Sequence, residues 1–518
     1  MKSRVLRRRV EQGAGSLLAV CIASAVVGKA AAQSDPVIFS FATVGDSRTD
    51  PNKPDATTLL ALNTNTGAGA PNLTGTILPQ DSEWVQNTAA LGTILSGIQT
   101  QNPNLLFFNG DMIFGYGRPI LPTAWANGKP NSWNTAQTVV PDTIFEIAQY
   151  AYWRGMVAPL FLSGTYVIPV PGNHETQCSF SAAPYGTGAA ANPNCANATA
   201  NPNGVTGPVN GTGKTAYADN ENMFRFNMGD LVSDLTTNIR FSDVSGYFAT
   251  NVAATAPTGD SITPTATNLS NGPITGSQQY LSYSFDIKPQ QGLLLHFVVI
   301  NTDPSGADST APAAWLASDL AAAQTRGGAG TVKYFVFGHK PAFTYNYAQA
   351  TGGSVAPPNT NPGPGGLDAN YIATTSGTPP VTTYATPWRD TFWSVIAHYG
   401  ATYFSGHEHT VNVQKFADPT GTYSATPYQV IVGSGGSPFD DKLVTSGNVN
   451  GVACSSTKPC EPVLTNPYDR YYAWALVQVH ASGNVSLQVS GFGDNYLGST
   501  ESYGPVQDLS IYDVAALQ

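Results

Sequence analysis

Charge is the first thing this sequence lacks. Asp, Glu, Lys and Arg make up 11% of its 518 residues, against roughly 25% in an ordinary soluble domain. Gly, Pro, Ser, Thr, Asn and Ala fill the gap, as in exported proteins that rely on a neutral polar surface. Basic charge is scarcer still, with 23 Lys and Arg against 33 Asp and Glu. Six of those basic residues and only Glu11 among the acids lie within residues 1–32, leaving 17 and 32 beyond, a net charge near −15. That balance argues against nucleic acid or an anionic membrane as a standing partner. Cysteine is sparse too. After residue 32 only Cys178, Cys195, Cys454 and Cys460 remain, with no C-x2-C knuckle for zinc. An even count in an exported chain favours two local disulfides, 178–195 and 454–460. Leu17–Val27 is apolar but too short to span a bilayer, so no stable membrane anchor is expected.

What is present starts with a leader. Lys2, Arg4 and Arg7-Arg8-Arg9 precede that apolar stretch, and Ala30-Ala31-Ala32 ends in an A-x-A pattern. The expectation is a signal peptide over 1–32, cut after Ala32, and a secreted or periplasmic product. Residues 33–518 are expected to form a single domain with insertions at about 176–278 and 349–384, where Ala, Asn, Gly, Thr and Pro dominate. Insertions this long point to a cap, a lid or covering loops.

The rest alternates. Apolar runs at 37–44, 105–108, 167–170, 281–287, 293–300 and 332–337 read as strands. Helical spacing covers about 82–100, 141–156, 311–325 and 387–398, and later runs at 411–416, 428–432, 471–480 and 484–491 read as strands only. Strand, helix, strand in succession predicts an α/β fold with parallel or mixed sheet. In such sheets ligands gather beyond the carboxyl ends of the strands. Polar residues of one chemical kind follow these runs: Asp46, Asp111, Asn173-His174, His339, then His407-x-His409. Each alone reads equally as a turn, a cap or a loop hydrogen bonder. Together, carboxylates and imidazoles suit Zn, Fe, Mn or Mg ions rather than Cu(I). Two such ions about 3.5–4 Å apart can clamp both oxygens of an in-line phosphoryl displacement.

This ordered set resembles the calcineurin-like metallophosphoesterases, a family that includes the purple acid phosphatases. The likeness covers roughly residues 37–175 and 280–437, and Gly172-Asn173-His174-Glu175 and Gly406-His407-Glu408-His409 are its most specific parts. It implies a two-sheet β-sandwich flanked by helices and two divalent or trivalent ions. Asp111 would bridge them, with Asn173, His339 and His407 completing one site and Asp46 and His409 serving the other. A hydroxide held there would attack phosphorus, and His174 would touch the phosphoryl group or protonate the leaving oxygen. The expected partner is a small phosphate mono- or diester.

Two positions depart from the family pattern. Arg48 stands where Asp-x-His has its histidine. Phe114 ends the Gly-Asp-x-x-Asp motif, where its ring can neither ligate a metal nor orient His174. Arg48 would bind substrate phosphate, or replace one ion's charge and leave a one-metal site. The departures also admit a secreted binding protein that keeps the frame without turnover. His296, His398 and His480 read as structural.

Overall fold

Val37–Val44 (β1) is apolar except at Ser40 and Thr43, and its side chains alternate between faces. Phe39 and Phe41 enter one apolar cluster, whereas Ala42 and Val44 enter another. The computed structural model that shows this describes residues 35–48, 86–115, 136–176, 220–233, 281–302, 311–345, 367, 373–376, 381–384, 388–440, 447–449, 452–454, 466–497 and 500–518.

Leu105–Asn109 (β2) and Tyr166–Val170 (β3) extend β1 in parallel, each reached through a helix: Thr88–Gln101 (α1) and Ala136–Ser163 (α2). The Asn87 side chain caps α1 by accepting from Ala90 N at 3.1 Å, and Asn102 ends it at φ 48°. Asn173–Thr176 (α3) and Asn220–Ser233 (α4) follow. A second mixed sheet begins with Tyr283–Gln290 (β4) and Leu293–Val299 (β5), continues after Ala313–Gly327 (α5) with Thr331–Phe337 (β6), and includes Thr402–Ser405 (β9), Val411–Lys415 (β10) and Tyr428–Val432 (β11). Trp388–Tyr399 (α6) precedes β9, and Ala373–Ser376 (β7) with Val381–Tyr384 (β8) makes a small hairpin. Gly447–Val449 (β12) and Val452–Cys454 (β13) form another. Tyr471–His480 (β14) and Val485–Leu497 (β15) return to the first sheet and pair antiparallel with β1 and with each other. Thr500–Tyr503 (β16) and Gln507–Asp508 (β17) finish on β15.

The fold is thus mixed α/β with two large mixed sheets, ordered β16-β15-β14-β1-β2-β3 and β10-β11-β9-β6-β5-β4. One apolar cluster takes residues from both sheets, with Phe41 and Phe107 from the first and Phe297, Phe335, Phe337 and Phe404 from the second. A second cluster joins the first sheet to α1, α2 and α4, and a third joins β5, β6 and β9 to α5 and α6.

Several expectations shift in detail. α2 runs further in both directions than 141–156, and α1 starts later than 82. The segment expected as an insertion at 176–278 contains α4, whose Met223, Phe224, Met228 and Val232 are buried in the core. The leader at 1–32, Cys178, Cys195 and Cys460 lie outside the described residues; Cys454 is disulfide-bonded. Among the described residues no helix is long and apolar enough to cross a membrane.

His296 is structural, as expected. Its Nδ1 faces Asp286 Oδ1 at 2.6 Å and its Nε2 faces Asp319 Oδ2 at 3.0 Å, with Arg326 Nε on Asp286 Oδ2 at 2.6 Å. Burial opposes a charge on this ring, but Asp319 and Asp286 override it and push the pKa up to about 9 from the ordinary 6.5. The folded value lies above the unfolded one, so this stabilisation is complete below pH 6.5 and fades as pH rises through 9. Denaturant midpoints should therefore fall between pH 6.5 and 9.5, by on the order of 3 kcal/mol in unfolding free energy. His296→Ala should flatten that slope; an unchanged slope would refute the assignment. His480 Nε2 meets Ser486 Oγ at 3.0 Å, and His398 lies between Tyr399 and Tyr423, so both remain away from the chemistry.

Candidate metal centre

Five loops leave the carboxyl ends of β1, β2, β3, β6 and β9, and main-chain hydrogen bonds join the β1 loop to the β2 loop and the β6 loop to the β9 loop. Asp46 N donates to Gly110 O at 2.9 Å, Ser47 N to Asp111 O at 3.1 Å, and Gly406 N to His339 O at 2.9 Å. Glycine is required where loops touch: a Cβ on Gly406 would stand 2.2 Å from Asp46 Oδ2 and 2.8 Å from Asn109 O. Among the described residues four non-glycines have positive φ, and three of them are Asp46 (61°), Asp111 (53°) and His407 (70°). The fourth, Asn102, is a helix cap. Left-handed backbone costs non-glycine residues roughly 1–2 kcal/mol each, and its concentration here marks a constrained site.

Four lone-pair atoms crowd one point. Asn173 Oδ1 lies 2.8 Å from His339 Nε2 and 3.0 Å from His407 Nδ1; the two ring nitrogens are 3.1 Å apart. Asp111 Oδ1 is 3.2 Å from His339 Nε2. His339 Nδ1 donates to Asn109 O at 2.8 Å, so the neutral ring turns a bare lone pair toward Asn173 and Asp111. Burial holds His339 below its ordinary pKa, and burial with His339 and Lys340 nearby holds His407 well below. Asp111 Oδ1 also accepts from His174 N at 3.2 Å, and at most one further proton, on His407 Nδ1, is shared with the remaining atoms. A cation at their centre resolves the repulsion, and the donor set fits one.

A second cluster adjoins it. One donor atom each from Asp46, Asp111 and His409 lies within 4.8 Å of the others, a grouping that could hold a metal ion. The His409 Nδ1–H is committed to Pro438 O, leaving Nε2 to face Asp46 Oδ1 at 3.7 Å. Asp46 Oδ1 is buried without a hydrogen-bond partner, while Oδ2 accepts from His407 N at 2.9 Å. Burial and the neighbouring Asp111 push the Asp46 carboxyl well up. Burial acts on Asp111 too, but His339, His174 and Arg48 together hold it far below the usual carboxylate range. Arg48 Nε reaches Asp111 Oδ2 at 3.2 Å.

Phe114 has no polar side chain to orient His174, and His174 Nδ1 donates to the main-chain Phe114 O instead. The backbone supplies what the ring cannot. His174 Nε2 then faces Asp111 Oδ2 at 3.8 Å. Burial and the Arg48 charge push its pKa down to about 3, so Nε2 offers a lone pair rather than a proton.

All eight residues singled out from the sequence, Asp46, Arg48, Asp111, Asn173, His174, His339, His407 and His409, thus come together in one cluster. Sequence reasoning undervalued three carboxylates beside them. Glu175 accepts from three backbone N–H groups, Glu408 Oε2 accepts from Tyr345 N at 2.6 Å, and Asp440 Oδ2 accepts from His409 N at 2.9 Å. Glu175 and Glu408 were visible as acids inside the ligand motifs; Asp440 carried no such signal.

No family model matches this chain, and no curated protein matches it. Among solved structures, a dimetal phosphatase from Danio rerio is similar over 90% of this chain and 99% of its own, at 9% identity and a TM-score of 0.35. A likeness this loose says nothing about the chemistry of the site.

Proposed function

We propose that this chain is an exported, metal-dependent phosphoesterase acting on small phosphate mono- or diesters. In this reading its two sheets form the helix-flanked sandwich of the calcineurin-like fold. The observation that carries it is the close approach of Asn173 Oδ1, His339 Nε2, His407 Nδ1 and Asp111 Oδ1, a mixed oxygen and imidazole donor set. Those four residues would hold one cation. Asp46, His409 and the shared Asp111 would hold the other, and the orphaned Asp46 Oδ1 supports that second position. When bound, such ions supply Lewis acidity at a phosphoryl oxygen.

The chain's own groups do the rest. Arg48, always charged, holds Asp111 ionised and offers a planar fork to a phosphate oxygen. His174, with Nδ1 fixed by Phe114 O, turns Nε2 toward Asp111, where it can accept a proton from a substrate or water. A second reading follows from the Arg48–Asp111 contact: one ion in the Asn173 site, with the guanidinium as the other positive charge. Metal analysis separates them, since more than one ion per chain supports the two-ion form and a firm value of one supports the arginine form.

Hydrolysis of p-nitrophenyl phosphate and its bis ester should vanish after chelation. It should return with Mn²⁺, Zn²⁺, Fe or Mg²⁺. Absence of turnover with every metal on both esters would favour a binding protein on the same frame.

A further inference from the structure

We infer that Glu175 is a positioning residue that locks the two central ligand loops together, acting through Asp111 and Asn173 without itself ligating a metal. This rests on the metal-site reading above and deepens it. The Glu175 carboxylate is fully buried and receives three main-chain N–H groups from two loops. Oε2 accepts from Asp111 N and from Gly172 N, each at 2.8 Å, and Oε1 accepts from Ile113 N at 3.1 Å. All these donors are backbone, so the carboxylate's bonds are spent on loop geometry and none points at the donor clusters.

Two local features make this splint matter. Asp111 sits at φ 53°, and the carboxylate grips its N–H while Ser47 N and Arg48 N grip its carbonyl, at 3.1 and 3.4 Å. The residue that would serve both ions is thereby held at both of its flanking peptide groups. Gly172 lets the grip close: a Cβ there would stand 2.5 Å from Asp111 N and 2.7 Å from Glu175 Oε2. One residue beyond Gly172 is Asn173, whose Oδ1 meets both His339 and His407. Glu175 therefore sets the spacing between the Asp111 and Asn173 donors.

The test is Mn²⁺ binding to the full-length chelated protein by titration calorimetry, with p-nitrophenyl phosphate kinetics alongside. Glu175→Gln keeps the shape but turns an NH2 toward N–H donors. A folded Glu175→Gln, judged by an unchanged near-ultraviolet dichroism spectrum, should bind Mn²⁺ about 10- to 100-fold more weakly. Its kcat should fall at saturating Mn²⁺, with KM moving less than about twofold. Glu175→Asp keeps the carboxyl group but cannot reach all three donors, and should weaken binding in the same direction; it decides the matter should the glutamine variant not fold. Wild-type affinity in a folded variant would overturn the inference while leaving the metal reading intact. Failure of the wild-type protein to bind any of Mn²⁺, Zn²⁺, Fe or Mg²⁺ would overturn the metal reading itself.

Discussion

His407→Ala is expected to lower metal content below that of the wild type and to cut kcat/KM by about three orders of magnitude. The His407 Nδ1 lies 3.0 Å from Asn173 Oδ1 and 3.1 Å from His339 Nε2, so its removal takes one of four converging donors. A bound metal contributes several kcal/mol of charge stabilisation in such reactions, and each 1.4 kcal/mol or so is a factor of ten in rate. Backbone strain complicates an alanine here, because φ is 70° at this position. His407→Gly removes the imidazole without that strain and should lose activity to the same extent. His296→Ala should leave metal content unchanged, since its imidazole is enclosed by Asp286 and Asp319. Full activity in either His407 variant would contradict the assignment.

Phe41→Ala is expected to remove about 3–5 kcal/mol of unfolding free energy. Few positions are so central. The Phe41 ring meets Phe107, Phe297, Phe335, Phe337 and Phe404 with centroids 5.0 to 5.7 Å away, four of them on the opposite sheet. The contact geometries are edge-to-face, which adds to simple burial. A whole domain is stable by only about 5–15 kcal/mol, so the variant should unfold at far lower denaturant. The site should loosen with it: Asp46 follows Phe41 on β1, His339 follows Phe337 on β6, and Phe404 ends two residues before Gly406. Equilibrium denaturation under chelation measures the loss without contribution from bound metal. A change below about 1 kcal/mol would show that the two sheets do not depend on this contact.

The ligand loops were legible because buried strands write themselves as short apolar runs, and a polar residue directly after such a run stands at a sheet end. Asp46, Asp111 and His339 are each of that kind. α4 was hidden because Asn and Gly interrupt Met223, Phe224, Met228 and Val232, and the flanks are of low complexity. The orientation of His174 was illegible for a different reason. Phe114 provides it through a carbonyl that every residue possesses, so no side-chain pattern could signal it. Arg48 was legible as a charge in the site but not as a contact of Asp111, because its position follows from the β1 loop bridging to Gln86. Glu175 is legible as an acid inside its motif; that its carboxyl group joins two loops needed the three-dimensional arrangement.

Anomalous diffraction from crystals of the Mn²⁺- or Zn²⁺-loaded protein would examine the convergence of these side chains on a cation most directly. The account predicts a peak at bonding distance, about 2.0–2.3 Å, from His339 Nε2, His407 Nδ1 and Asn173 Oδ1, with Asp111 beside it. A loaded crystal whose peaks all lie elsewhere, with His339 turned from Asp111, would contradict it.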